Sequence, residues 1–469
     1  MNKCVGMSLA LLLLGAIVLC SPARARDIEY RMAVLAMRHG IRHPTPAPPD
    51  LQLYSQNRQW SSWYTTQLGC LTSNGVRVEE KLGEYYRHVL VSRGLISGGT
   101  ECPVDRSYYI RADSFQRTWW SARGMADGLY PGCSAKIYAI DGDTYAQEVP
   151  KPTGDLTCTS ANDPLFFPLQ SGGNAPQMNP QQALLAAAAT IGSHGDANTV
   201  TTEHLSASFR SQISVMQSAT DCCQPAACPN LPLGQKCSLG VLEDTLTANG
   251  QDIDLNGPVT IGGILSATFL MAYQDGLPME DVAFGRLNLE ELNPTYELNN
   301  AAFNVMYNTP YAARAQMSNW MNQILLALQQ RAEDTKKVNA VALPSNQVVL
   351  FMGHDDNLHG LGSLMQVSWI NEGYQPYQTP AGSGFVFTLI RDRKTRKHFV
   401  RVEFVAQTPL QQRRIEPLSF DRPPSIAPLQ IPGCESPPDL PYYCPLDRFN
   451  KLIRKSMSPE FITRVPSLR

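Results

Sequence analysis

The stretch Arg31-Met-Ala-Val-Leu-Ala-Met37 runs directly into Arg38-His39-Gly40-Ile41-Arg42-His43-Pro44-Thr45-Pro46, and this junction decides the fold. The apolar run does not alternate with polar residues, so it predicts a strand buried on both faces, in the middle of a helix-covered sheet. Glycine and proline then end it abruptly and leave arginines and histidines at its carboxyl end. The same grammar recurs. Tyr108-Tyr109-Ile110 reads as a short strand, followed by a helix whose apolar face is Phe115, Trp119, Ala122, Ala126 and Leu129, with Asp113 or Ser114 as its N-cap and Arg117 in its first turn. Gln347 to Met352 is a third apolar run, ending at Gly353-His354-Asp355-Asp356-Asn357.

Around these junctions the chain reads as α/β. Residues 71–93 carry a helical pattern, with Val76, Leu82, Tyr86 and Val89 among charges. Gly384 to Ile390 and His398 to Val405 read as two strands around a basic turn. The middle differs: 170–181 is a Gly/Asn/Pro/Gln-rich loop, Gln182 to Ile191 is Ala-rich and helical, and 150–310 gives few strand signals. The expected organisation is a core sheet flanked by helices, formed by residues 26–149 and 311–469, with 150–310 as a smaller, mostly α-helical insertion.

The 469 residues suffice for a large core and at least two lobes. A hydrophobic content of 43%, a charged content of 17% and a formal net charge of −2 describe a globular protein and argue against a nucleic-acid partner. Residues 1–25 read as a signal peptide: Lys3, an apolar run from Met7 to Cys20, then Ala23-Arg24-Ala25 as a cleavage pattern. The run is short for a membrane span, and Leu19 is bulky for a lipoprotein anchor at Cys20. A periplasmic or secreted protein without stable membrane insertion is expected, as a monomer. Of 12 cysteines, Cys4 and Cys20 fall in the leader; the ten that remain suit disulfides rather than a zinc site, since no two CxxC pairs occur. Cys434 and Cys444 enclose a Pro-rich loop with little core of its own, where a staple would serve.

The three polar clusters, Arg38/His39/Arg42, Arg117 and His354/Asp355, each begin where an apolar strand ends. In open α/β sheets the carboxyl ends of strands share one crevice, so clusters far apart in sequence can converge. Three guanidinium groups and two imidazoles around one point suit a phosphate.

Arg38-His39-Gly40-Ile41-Arg42-His43-Pro44 resembles the RHGxRxP signature of the histidine acid phosphatases, and Gly353-His354-Asp355 resembles their distal HD motif. The resemblance runs from about residue 28 to the end. Leu270 to Arg286, Thr309 to Arg314 and Thr379 to Phe387 look like the bacterial phytase and periplasmic acid phosphatase branch. It implies a phosphoglycerate-mutase-like α/β core with a smaller α-domain, and a two-step hydrolysis of phosphate monoesters without cofactor or metal. On the matching positions, His39 is the nucleophile that becomes a phosphohistidine, and Arg38, Arg42, Arg117 and His354 bind the phosphoryl group. Asp355 protonates the leaving alcohol and then helps activate water. The resemblance also implies Cys102–Cys133 and Cys434–Cys444 disulfides. Cys70 and Cys158 remain unassigned, and Cys222, Cys223, Cys228 and Cys237 are expected to pair among themselves.

Other assignments compete. Phytase activity is the alternative within the branch; glucose-1-phosphatase activity, a metallophosphatase using His39, His43, His354 and His359 with Asp355 and Asp356, and a non-catalytic phosphate-ester binder rank lower. Gly40, Pro44 and Pro46 work against the helix that would bring His39 and His43 to one metal. His43, His88, His194, His204, His359 and His398 are expected to be structural or exposed, Trp119 and Trp120 to pack, and Asn357 either to position Asp355 or contact substrate, or to cap a loop. Asn299 and Gln316 fall where the phytase branch carries further cationic side chains near substrate, which leaves less positive charge for a polyphosphorylated ring.

Overall fold

The computed structural model describes residues 27–45, 54–55, 59–140, 158, 166, 177–191, 199–221 and 239–468. The signal peptide and the cysteines at 222, 223, 228 and 237 lie outside them. The main sheet is built from β1 (Ile28–Arg38), β2 (Tyr108–Ala112), β6 (Val348–Gly353), β7 (Gly384–Asp392), β8 (His398–Ala406), β9 (Ser425–Leu429) and β10 (Tyr443–Pro445). Its order is β10-β8-β7-β1-β6-β2, with β9 also paired to β8. β1, β6 and β2 run parallel; β7 and β8 are antiparallel to their neighbours.

The apolar run of β1 is buried on both faces, as its lack of alternation predicts. Met32, Val34 and Ala36 pack with Trp320, Met321, Ile324 and Leu358, from the helices Pro310–Glu333 and Asp355–Met365. Ala33, Leu35 and Met37 face the opposite layer and pack with Leu82, Tyr86, Ala122 and Met125, from Ser73–Ser92 and Gln116–Leu129. The three parallel strands end level: Arg38 pairs with Gly353, and both Met37 and Ala112 pair with Met352. This register brings the three sequence clusters to one edge.

A second apolar cluster joins Pro180–Thr190, Arg210–Thr220, Pro258–Gln274 and Glu297–Met306, around Phe269, Leu265 and Leu298. The few strand signals in this segment understated it. β3 (Thr199–Thr202), β4 (Asp244–Ala248) and β5 (Ile253–Asn256) form a small antiparallel sheet of their own. Disulfides join Cys102 to Cys133 and Cys434 to Cys444, and Cys70 pairs with Cys158. The Cys70–Cys158 link anchors the segment beside the first motif, because the His43 amide donates to the Cys70 carbonyl at 2.9 Å and Arg42 bridges Leu71.

Candidate active site

The first motif leaves β1 as a loop held on both sides by backbone hydrogen bonds. The His39 amide donates to Gly353 O at 2.9 Å, and the Gly382 amide donates to His39 O at 3.0 Å. The Gly40 amide donates to Ser121 Oγ at 2.8 Å, and a Cβ at Gly40 would come within 3.0 Å of the Gly75 carbonyl oxygen. Glycine is required at this close approach. His39 is 1% exposed, and its Nδ1 lies 2.8 Å from Gly40 O. A carbonyl oxygen only accepts, so Nδ1 carries the hydrogen and Nε2 keeps the lone pair. Burial, then Arg117, Arg38, His354 and Arg42, push the His39 pKa well below the ordinary histidine value.

Arg38 is buried against Asp355, with Nη2 3.0 Å from Oδ2, and donates to the Thr379 carbonyl. Arg42 donates to His43 O at 3.0 Å, and Arg117 lies over the Phe115 ring, 4.0 Å from its centroid. Burial and mutual repulsion lower Arg42 to about 9; burial lowers Arg117 to about 10, with Arg38 adding to the effect. The Nε atoms of all three arginines are buried and have no hydrogen-bond partner among the described residues. Against burial, Asp355 holds Arg38 up, while burial and neighbouring guanidinium charge lower Arg42 and Arg117, which favours an anion among them.

The HD motif ends β6 and starts the helix Asp355–Met365. The His354 amide donates to Asn357 Oδ1 at 2.9 Å, and Asn357 Nδ2 donates to Phe166 O at 3.0 Å. Asn357 is fully buried and closes a capping box with the N-cap His354; it does not line the cavity. The His354 and His39 rings meet edge to face at 5.3 Å. His354 Nε2 lies 2.7 Å from Asp113 Oδ2. Burial raises Asp113 to about 7, and burial together with Arg117 holds His354 well below the usual histidine value. Burial thus favours the neutral form of each member of the pair.

Asp113, which the sequence offers alongside Ser114 as the N-cap of the next helix, instead meets His354. The helix in fact begins at Gln116 after Phe115, and the Asp113 carboxylate accepts from the Ser114 amide at 2.7 Å as well as meeting His354. The signal available was its place, one residue beyond the end of β2.

Burial alone would raise Asp355, but Arg38, Arg42 and His354 hold it below the usual carboxylate range. Asp356, buried beside that charge, is pushed up to about 8. These residues line a cavity of about 390 Å³ together with side chains from Pro258–Gln274 and Glu297–Met306. Asn299 lines it; Gln316 does not, because its side-chain amide donates to Gln251 O at 3.2 Å. Among the described residues, three further histidines are engaged elsewhere or exposed, while His194 and the His204 side chain lie outside them. His43 Nδ1 meets Trp63 O at 2.8 Å, His359 packs between Phe303 and Trp369, and His88 is exposed. Trp119 and Trp120 pack edge to face at 5.1 Å. Among the described residues no group of three or more histidine, cysteine or acidic side chains is arranged to hold a metal, and no helix is long and apolar enough to cross a membrane.

The family model described as histidine phosphatase superfamily (branch 2) matches residues 29–405. Phytase AppA of Escherichia coli (strain K12) is 30% identical over 92% of this chain and 93% of its own. Glucose-1-phosphatase of Salmonella typhimurium is 26% identical over 95% of this chain and 98% of its own. Among solved structures, Hafnia alvei phytase in complex with tartrate superposes with a TM-score of 0.78 at 26% identity, covering 94% of this chain and all (100%) of that one.

Proposed function

The chain belongs to the histidine phosphatase superfamily (branch 2) and is a phosphoric monoester hydrolase, and from that premise we propose that it is an exported acid phosphatase whose reacting groups are those gathered at the ends of β1, β2 and β6. The observation that carries this is the convergence of Arg38, Arg42 and Arg117 around a neutral His39 whose Nε2 holds a lone pair.

A phosphate monoester enters with its phosphoryl oxygens among the three guanidinium groups and His354, near the amino ends of the helices that begin at Gln116 and Asp355. The site resists protonation of His39, so its Nε2 attacks phosphorus even in acid. Negative charge that builds on the equatorial oxygens is met by arginines already in place, with little reorganisation. Asp113 stabilises the positive charge that His354 acquires. Before substrate binds, Asp355 is ionised against Arg38; a bound phosphate draws on the same guanidinium groups and adds negative charge, which raises the Asp355 pKa and lets it hold a proton. That proton passes to the ester oxygen as the P–O bond breaks and the alcohol leaves. The resulting Asp355 carboxylate takes a proton from water, which attacks phosphorus, releases phosphate and restores His39.

In this assignment residues 150–310 form a substrate-facing helical domain over an α/β core of residues 26–149 and 311–469, and residues 1–25 direct export of a monomer. Hydrolysis of p-nitrophenyl phosphate in acid, with a chelator present throughout, tests the proposal: turnover should persist undiminished. Loss of activity on chelation, restored by a divalent metal, would overturn it.

A further inference from the structure

Resting on the phosphatase assignment, we propose that the enzyme selects monoesters of uncharged alcohols that carry an apolar face, of the arylalkyl or aryl class, and discriminates against polyphosphorylated substrates. Charge is segregated within the cavity. Its base holds Arg38, Arg42, Arg117 and the HD motif. The wall above, from Pro258–Gln274 and Glu297–Met306, presents Ile264, Ala267, Met271, Ala302, Phe303 and Met306. The remaining wall groups on these two helices, threonine, asparagine and tyrosine side chains, are neutral, and no lysine or arginine reaches the cavity from them. Phe303 is held in place, its ring 5.0 Å from that of Tyr307 and 5.1 Å from that of His359.

Among the described residues, further charges that act on the wall have the wrong sign for a second phosphate. Asp252 and Asp254 are close enough to help raise Tyr307, and Asp252 also adds to the rise of Asp356. A leaving group with its own phosphates would have to shed water from dianions against an apolar wall that, among the described residues, offers no cation to pair with. A ring with an apolar face instead removes apolar surface from water on both sides of the contact. The three arginines at the base are already committed to the phosphoryl group that is transferred.

The test uses the disulfide-bonded chain at acid pH and low ionic strength, with 2-phenylethyl phosphate, glycerol 2-phosphate and inositol hexakisphosphate as substrates. All three release alkoxides, so differences report on the wall more than on leaving-group chemistry. The kcat/KM for 2-phenylethyl phosphate should exceed that for inositol hexakisphosphate by at least about tenfold, the scale on which an apolar pocket discriminates. Phe303→Ala should lower kcat/KM for 2-phenylethyl phosphate more than for glycerol 2-phosphate. Ile264→Lys or Ala267→Lys, at partly exposed wall positions, should shift the ratio toward inositol hexakisphosphate. A wild-type kcat/KM for inositol hexakisphosphate equal to or above that for 2-phenylethyl phosphate would overturn the selectivity while leaving the phosphatase assignment intact. Absence of both turnover and a phosphoenzyme with every substrate would overturn that assignment, and the selectivity with it.

Discussion

At the base of the cavity the functional side chains follow backbone fixed by strand register and long-range hydrogen bonds: His39 is tied to Gly353 and Gly382, and His354 to Asn357 and Asp113. The wall is made differently. Ile264, Ala267, Ala302 and Phe303 stand on helices whose positions are set by an apolar cluster behind them, and their own side chains make no bond on which the fold depends. The base is therefore built for a single geometry, whereas the wall can change its side chains and keep its shape. Substitutions at the base should cost chemistry by orders of magnitude, and substitutions on the wall should redirect preference within about one.

The sharpest break in that contrast is His39→Ala. It should lower turnover by about 10⁴-fold or more, the scale seen when a covalent nucleophile is removed. Circular dichroism and the disulfides should be unchanged, because the residue sits in a loop. Residual activity within tenfold of wild type would remove the distinction between base and wall.

Asp355→Asn should come next. With alkyl phosphates, phosphoenzyme formation followed by rapid quench should slow by about 10²–10⁴-fold, the range of general-acid assistance. With p-nitrophenyl phosphate, whose leaving group needs no proton, the loss should be far smaller. Asp356 holds a proton at rest, so Asp356→Asn is the necessary control. If that variant shows the leaving-group dependence and Asp355→Asn does not, the donor is the second carboxyl of the pair.

The smallest effect concerns stability. Glu79 is fully buried behind the first motif, near enough to Gly40 and Gly382 that a Cβ on either would meet its carboxyl group at 3.1 and 2.7 Å. Neither oxygen has a hydrogen-bond partner among the described residues, and burial raises its pKa well above 4.5. A carboxyl with a raised folded pKa stabilises fully below its unfolded pKa and loses that contribution as pH rises through the folded value. Asp113, at about 7, and Asp356, at about 8, act in the same direction. The depressed histidines, His39 and His354, oppose them only at and below the ordinary histidine range. The melting temperature should therefore fall as pH rises above about 6.5. Glu79→Gln imitates the protonated acid and should make that fall shallower, with each pKa unit removed worth about 1.4 kcal/mol. A parallel decline in variant and wild type would show that Glu79 does not titrate in the fold.

The base was more legible in the sequence than the wall, for physical reasons. An uninterrupted apolar run such as Met32 to Met37 has few alternatives to a strand buried on both faces, and Gly/Pro punctuation marks where its polar cargo is delivered. Asp113 lies at such a strand end, but local sequence offers it only as one of two N-cap candidates with Ser114, because its partner His354 is 241 positions away. The Cys70–Cys158 bond, 88 positions apart, was equally invisible, since spacing gives no distance between loops. β3 and β4 escaped notice as short, threonine-containing segments that pair only within their own small sheet. Gln316 falls where the phytase branch carries a cationic side chain near substrate, yet its carboxamide donates to Gln251 O. On helices, which residue faces a cavity depends on packing angle, and sequence periodicity does not supply that.

The most direct test is to trap the phosphoenzyme. Wild-type protein mixed with ³²P-labelled monoester and quenched in alkaline detergent within milliseconds should carry label that survives alkali, is released by acid, and maps to the peptide containing His39. His39→Ala should carry none. Label that is lost in alkali, that maps elsewhere, or that persists in His39→Ala would contradict His39 as the nucleophile.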